Sequence, residues 1–308
     1  MKAVPRLREI VDPPDEVLQA GTTGELVMFV GAGASMLLGL PSWAGFAGGI
    51  LEDLRSSGCL NYSEVDQLST QNPRTQLSIA IAMAQENDID IDYSKYLRES
   101  KKNNIYNFID GIGCSCVTTN YDDLLTSTHT PSGDGASGTA PTKRIFEVEK
   151  MYGNLLDQPG TVVHLHGSVQ KPSSMVVTTK DYLTHYDNAN IHTFLGDLFG
   201  RKTVVFIGYG LEEFEILEHI LRRGDARDLK ERKRFLLSGF YSNQEPLYKQ
   251  LHNYYRTSFG VHLLGFLRDH ENYGALTHTM QKWCSSIQIR KPPLVNDYEL
   301  MDEVLADE

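Results

Sequence analysis

Leu26-Val27-Met28-Phe29-Val30-Gly31-Ala32-Gly33-Ala34-Ser35 is the stretch from which the fold follows. Five apolar residues run into two glycines one residue apart, and a helix-compatible segment begins at Met36. An unbroken apolar run of this length reads as a strand buried on both faces, as strands of a parallel sheet are. The glycines read as a tight turn at which backbone can approach a phosphate closely. A strand that delivers such a turn to a helix N-terminus is a nucleotide-binding device.

Outward from this stretch the same pattern repeats. Strands are expected at Gly111–Val117, Thr161–Leu165, 203–210, 235–240 and 262–267, with a further short one at 175–179. Helical periodicity is expected at 13–20, at Phe46–Leu54, in pieces between 60 and 105, and over 181–200. Strands alternating with helices predict an α/β fold: a Rossmann-like parallel sheet with helices on both faces. The polar, strand-free region at about 55–108 predicts a helical insertion forming a small subdomain. Residues 127–142 are rich in Gly, Ser, Thr and Pro and read as a mobile loop, of the length often used for lids or binding loops. Seven Lys or Arg among three acids over Arg222–Arg234 read as a solvated helix. The expected organisation is one domain over 1–295 and an acidic tail over 296–308.

Composition narrows the function. The 308 residues carry 41% hydrophobic and 22% charged side chains, ordinary values for a globular protein able to bury a sizeable core. A net charge of −11 argues against a broad grip on DNA or RNA. There is no apolar run long enough to cross a bilayer and no secretory core near the N-terminus, so a cytoplasmic location is expected. Cys59, Cys114, Cys116 and Cys284 form no Cys-x-x-Cys pair, so free thiols are expected and a zinc site is not. His129, His185 and His192 have no metal-binding spacing. Trp43 is expected in the core.

Four strands end in small or polar residues rather than ordinary turns: Gly31–Ser35, Thr118–Asp122, His166–Ser168 and Gly208–Gly210. In an open parallel sheet, ligands bind outside the carboxyl ends of the strands. The four ends are therefore expected to line one crevice. Asn120 is also a favoured N-cap, for a helix starting at Tyr121. His164 and His166 alternate as strand neighbours do, so either can be a base; His166 lies nearer the strand end. Tyr209 can either stack on a ligand or plug the crevice.

Gly31-Ala32-Gly33-Ala34-Ser35, then Thr119-Asn120-Tyr121-Asp122, then His166-Gly167 resemble, in order, the three signature motifs of the sirtuin family, which surround NAD. The resemblance covers roughly residues 20–270. The chain lacks the family's zinc ribbon. It has Pro41-Ser42-Trp43-Ala44 where sirtuins carry Pro-Asp-Phe-Arg, and Gly208-Tyr209-Gly210 where they carry Gly-Thr-Ser. These departures, with Tyr121–Leu125, Asp181-Tyr182 and Phe206–Leu211, resemble the sirtuin-like domains of bacterial anti-phage defence. What the resemblance implies is hydrolysis of NAD to ADP-ribose and nicotinamide, with NAD as substrate and no metal.

Such chemistry calls for a pyrophosphate cradle, a group that holds ribose or water, and a base. Gly31, Ala32, Gly33 and Ser35 are the expected cradle, through backbone N–H groups and a hydroxyl. Thr119, Gly208 and Tyr209 complete the expected cofactor contacts. Asn120 is expected to position ribose or water through its paired donor and acceptor, His166 to act as base, and Asp122 to orient them or stabilise positive charge. An NAD-dependent protein deacylase and a catalytically silent NAD or ADP-ribose sensor are the alternatives. A dehydrogenase is disfavoured, because the third glycine of Gly-x-Gly-x-x-Gly is missing. An unrestrained NAD hydrolase kills its host. The expectation is therefore a homo-oligomer restrained in trans by a partner, such as a HerA-type ATPase or a short Argonaute.

Overall fold

The computed structural model describes residues 6–126, 143–210, 216 and 233–289. Its centre is β1 (Leu26–Val30), buried at every position. Six further strands pair in parallel around it: β2 (Ser115–Thr118), β3 (Lys143–Ile145), β4 (Thr161–His164), β5 (Thr203–Ile207), β6 (Arg234–Phe240) and β7 (Val261–Leu267). The sheet order is β3-β4-β2-β1-β5-β6-β7. The order reverses at β1, whose neighbours are β2 and β5. That reversal opens a crevice at the strands' carboxyl ends.

Period-two alternation divides β1 between two cores. Val27 and Phe29 join one with Val117, Val163, Val204 and Phe206, covered by α8 (Ala189–Arg201) and α9 (Glu245–Phe259). Leu26, Met28 and Val30 join the other with Cys116, Val162, Val205 and Ile207. That face is covered by α1 (Asp15–Thr23), α6 (Ile105–Ile112) and α10 (Gly274–Ser286), with Trp283 fully buried. The Rossmann-like architecture is therefore the observed one. Among the described residues no helix is long and apolar enough to cross a membrane.

A third core lies to one side, formed by α3 (Trp43–Ser56), α4 (Tyr62–Ser69) and α5 (Pro73–Glu86). Each helix starts on a side-chain cap: Ser42, Asn61 with Glu64 completing a capping box, and Asn72 ahead of Pro73. Phe46, Ile50, Leu54, Leu77 and Ala84 fill this core, and Tyr121, Met175 and Val177 tie it to the sheet.

Several local expectations are corrected. Residues 175–179 form no strand: Thr178 and Asp181 make a capping box that starts α7 (Thr179–Tyr186). Gly111 and Ile112 are the last turn of α6, which ends on Gly113 in the left-handed region at φ 77°, so β2 starts only at Ser115. Strand β5 ends at Ile207 rather than at 210, because Gly208 turns the chain at φ +61°. Edge strand β3 was not anticipated; two of its three residues are cationic. Arg234 belongs to no solvated helix. It opens β6 at 1% exposure and donates to the carbonyls of Phe199 (2.9 Å) and Phe259 (3.3 Å), where α8 and α9 end. There its charge faces two negative helix termini. The expected loop at 127–142, the rest of the basic stretch, His129 and the acidic tail lie outside the described residues.

Candidate functional site

The carboxyl ends of β1, β2, β4 and β5 converge on one cavity of about 780 Å³, a volume suited to a dinucleotide-sized ligand. Ala32, Gly33 and Ser35 reach it from β1, and Thr119, Asn120 and Asp122 from β2. His166 reaches it from β4, and Gly208 and Tyr209 from β5. Gly31 lies just behind the wall. The opposite wall is Trp43 and Phe46 of α3, Arg74 of α5, and Thr179 and Tyr182 of α7.

The glycines work by close approach. An added Cβ would lie 2.7 Å from the Gly208 carbonyl oxygen at Gly31, 2.8 Å from it at Gly33, and 2.3 Å from the Ala34 nitrogen at Gly208. At that spacing the Gly31 N–H donates to the Ile207 carbonyl at 2.9 Å and the Gly33 N–H to Gly208 at 2.7 Å. The expected cradle is corrected accordingly. Both glycine donors are satisfied inside the protein, and the turn offers the N–H of Ala32, first residue of α2 (Ala32–Leu37).

Ser35 is likewise occupied. Its hydroxyl donates to Asp122 Oδ2 at 2.7 Å, so it accepts from Tyr106 Oη (2.8 Å) and from Asn120 Nδ2 (2.8 Å). The second Nδ2 hydrogen goes to Tyr106 Oη at 3.1 Å. The Asn120 donor is therefore fully used, while Oδ1 has no protein partner among the described residues and is presented as an acceptor. The Asn120 backbone is held as well: its N–H donates to Thr118 Oγ1 (3.0 Å), whose hydroxyl donates to the Val30 carbonyl (2.8 Å). No helix starts at Tyr121, so Asn120 is not a cap. Burial raises the Asp122 carboxyl above its ordinary range, against the Ser35 and Leu124 hydrogen bonds that lower it.

The two histidines separate. β4 ends at His164, and Gly167 at φ +80° turns the chain, so strand alternation does not extend to His166. His164 Nδ1 donates to the Asn120 carbonyl at 3.3 Å and does not line the cavity. His166 does line it, with Nε2 2.8 Å from Tyr186 Oη and Nδ1 3.3 Å from Tyr182 Oη. Burial pushes His166 well below the ordinary histidine value, helped by His185 and by the Arg74 cation. Its imidazole is neutral at pH 7, the form that accepts a proton.

Tyr209 packs on Phe29 and Phe206 with its edge at the cavity. Trp43 is half-buried on the cavity wall, against Phe46 and Tyr121, rather than deep in the core. No motif in the sequence marks Tyr106, Arg74 or Tyr186 as site residues; Tyr182 lies in the Asp181-Tyr182 pair, which by itself assigns it no role. All four cysteines are free. Among the described residues no cluster of three His, Cys, Asp or Glu is placed to hold a metal ion.

Residues 115–259, from β2 to the end of α9, match the family model of the SIR2-like domain. The matched span includes Asn120, Asp122, His166 and Gly208, and the Gly31–Ser35 turn packs onto it from outside. The chain is also 27% identical over 214 residues, 67% of its length, to Defense-associated sirtuin 2 of Bacillus subtilis. It spans about a fifth of the length of that curated relative. The span similar to the SIR2-like domain thus holds the acceptor-presenting asparagine and the buried histidine, while β1 and its turn close the cavity.

Proposed function

We propose that this protein hydrolyses NAD to ADP-ribose and nicotinamide, and that this depletes NAD in defence against phage. One observation carries the reading. A neutral, buried histidine and an asparagine carbonyl with no partner among the described residues face the same dinucleotide-sized cavity, and both lie in the span similar to the SIR2-like domain. Cleavage of the nicotinamide–ribose bond releases a neutral group through an oxocarbenium-like sugar, so a strong general acid is not required.

The chain's own residues supply the rest. Asn120 Oδ1 accepts from a ribose hydroxyl or a water, locked by Ser35 and Tyr106. Asp122, bonded through Ser35 to Asn120, lends negative charge to a site where positive charge develops. His166 takes up a proton. Ala32 and the crossing of Gly33 over Gly208 shape the surface for the pyrophosphate, and Arg74 is the one cation among the described lining residues. The similarity to Defense-associated sirtuin 2 supports the defence setting.

Product analysis after mixing the protein with NAD, with and without an acetylated peptide, tests this. ADP-ribose and nicotinamide in both mixtures are expected; turnover only with peptide would establish a deacylase instead. Asn120→Ala and His166→Ala are each expected to lower turnover by about 10²–10⁴-fold, and unchanged NAD loss in both variants would refute the mechanism. Because unrestrained hydrolysis destroys the cell that makes the enzyme, the proposal includes a homo-oligomer restrained by a partner, such as a HerA-type ATPase or a short Argonaute. A strictly monomeric, fully active protein on a sizing column would contradict that part.

A further inference from the structure

His166 is only 1% exposed, and both of its ring nitrogens face tyrosine hydroxyls. Tyr182 and Tyr186 stand one turn apart on α7, the spacing that puts two side chains on one face. They differ in position. Tyr186, behind the ring, makes the shorter bond, 2.8 Å to Nε2. Tyr182 makes the longer, 3.3 Å to Nδ1, and it lines the cavity.

A neutral imidazole has one N–H and one lone pair, so one tyrosine accepts from it and the other donates to it. The Arg74 guanidinium decides which, lying 3.7 Å from the centre of the Tyr182 ring. A cation over a phenol favours loss of the phenolic proton. Tyr182 is then the donor to Nδ1, and Nε2–H donates to Tyr186. The ring nitrogen that can accept a proton is thereby covered, on the cavity side, by the Tyr182 hydroxyl.

We propose that Tyr182 is a catalytic residue that carries the proton between the substrate and His166, an inference that rests on the hydrolase reading. As nicotinamide departs with the electron pair of the glycosidic bond, the attacking water bonds to the ribose carbon and its O–H bond breaks. The released proton joins Tyr182 Oη, while the proton Tyr182 held passes to Nδ1. Tyr182 ends as it began, and the imidazolium returns its proton to solvent after the products leave. Burial supports this role, because an imidazole that resists charging holds the proton only briefly.

The test compares Tyr182→Phe with Tyr186→Phe by nicotinamide release, by ADP-ribose affinity and by ¹⁵N NMR of labelled histidine. Tyr182→Phe is expected to lower kcat by about 10–100-fold with ADP-ribose affinity within about twofold, and to move Nδ1 to its non-hydrogen-bonded position. Tyr186→Phe is expected to lose less. If the tyrosines only brace the ring, loss of the shorter rear bond costs more; an equal or greater loss in Tyr186→Phe therefore overturns the proposal. So does a Tyr182→Phe enzyme within twofold of wild type. A wild-type protein that leaves NAD intact overturns the hydrolase reading and the proton transfer with it. The Nδ1 signal tells the failures apart, since it still responds to Tyr182→Phe when the bond exists without the chemistry.

Discussion

Asn120 acts through what its neighbours take away from it. Ser35 and Tyr106 engage both amide hydrogens, and that leaves an acceptor rather than the donor–acceptor pair its side chain carries. Tyr106 is the less obvious of the two anchors, because it accepts from Asn120 and donates to Ser35 in the same place. Tyr106→Phe removes both bonds and leaves an Asn120 N–H buried without a partner, a change that costs about 1–3 kcal/mol. Chemical denaturation is expected to show a loss of that size, with NAD turnover down about tenfold or more as Oδ1 loses its fixed direction. Stability and turnover both at wild-type levels would show that the network does not hold Asn120.

The elements that matter most are the ends of β1 and β5, which cross at van der Waals distance. Gly208→Ala is the sharpest probe, because φ is +61° and the new Cβ would meet the Ala34 nitrogen at 2.3 Å. The variant is expected to lose about 2–4 kcal/mol and most of its affinity for ADP-ribose, measured by calorimetry on the folded fraction. Affinity at the wild-type level would mean that the crossing does not shape the site. This scale is also where the sequence was most legible. Runs such as 26–30 and 204–207 are apolar throughout because both faces are buried, and polar strand ends stand out against them. Lys143–Ile145 has no such contrast, being a short edge. The β-branched run at 176–179 mimics a strand, although Thr178 and Asp181 are a helix start. The far wall of the cavity was illegible for another reason. Arg74 on α5 and Tyr182 on α7 meet across more than 100 residues, and Tyr106 meets Ser35 across 71. Such contacts are made by tertiary packing, and no local period encodes them.

Across the whole molecule, buried histidines set the dependence of stability on pH. Burial lowers His164 and His185 from 6.5 to about 4, His166 well below 6.5, and His262 in the same direction. His164 Nε2 and His185 Nε2 have no hydrogen-bond partner among the described residues, as suits neutral rings in apolar surroundings. Between pH 6.5 and 4 the unfolded chain binds protons at His164 and His185 that the folded chain does not, and His166 and His262 act in the same direction. Stability is therefore whole above pH 6.5 and falls as the pH drops towards 4. At pH 5 each ring shifted to about 4 accounts for about 2 kcal/mol of that loss. Asp122 acts in the opposite sense, since its raised carboxyl is costly when ionised and protonation relieves the cost. Glu147, held at about 2 by Lys150 and Lys171, loses its contribution only below the ordinary carboxylate range, outside this window. With four histidines against one carboxyl, urea denaturation at pH 7.5 and pH 5.0 is expected to differ by several kcal/mol, the acidic sample being weaker. Equal midpoints at equal slopes would mean that these rings are not neutral and dry. The same property that makes His166 a proton acceptor at neutral pH would then be lost, so the measurement bears on the site as much as on the fold.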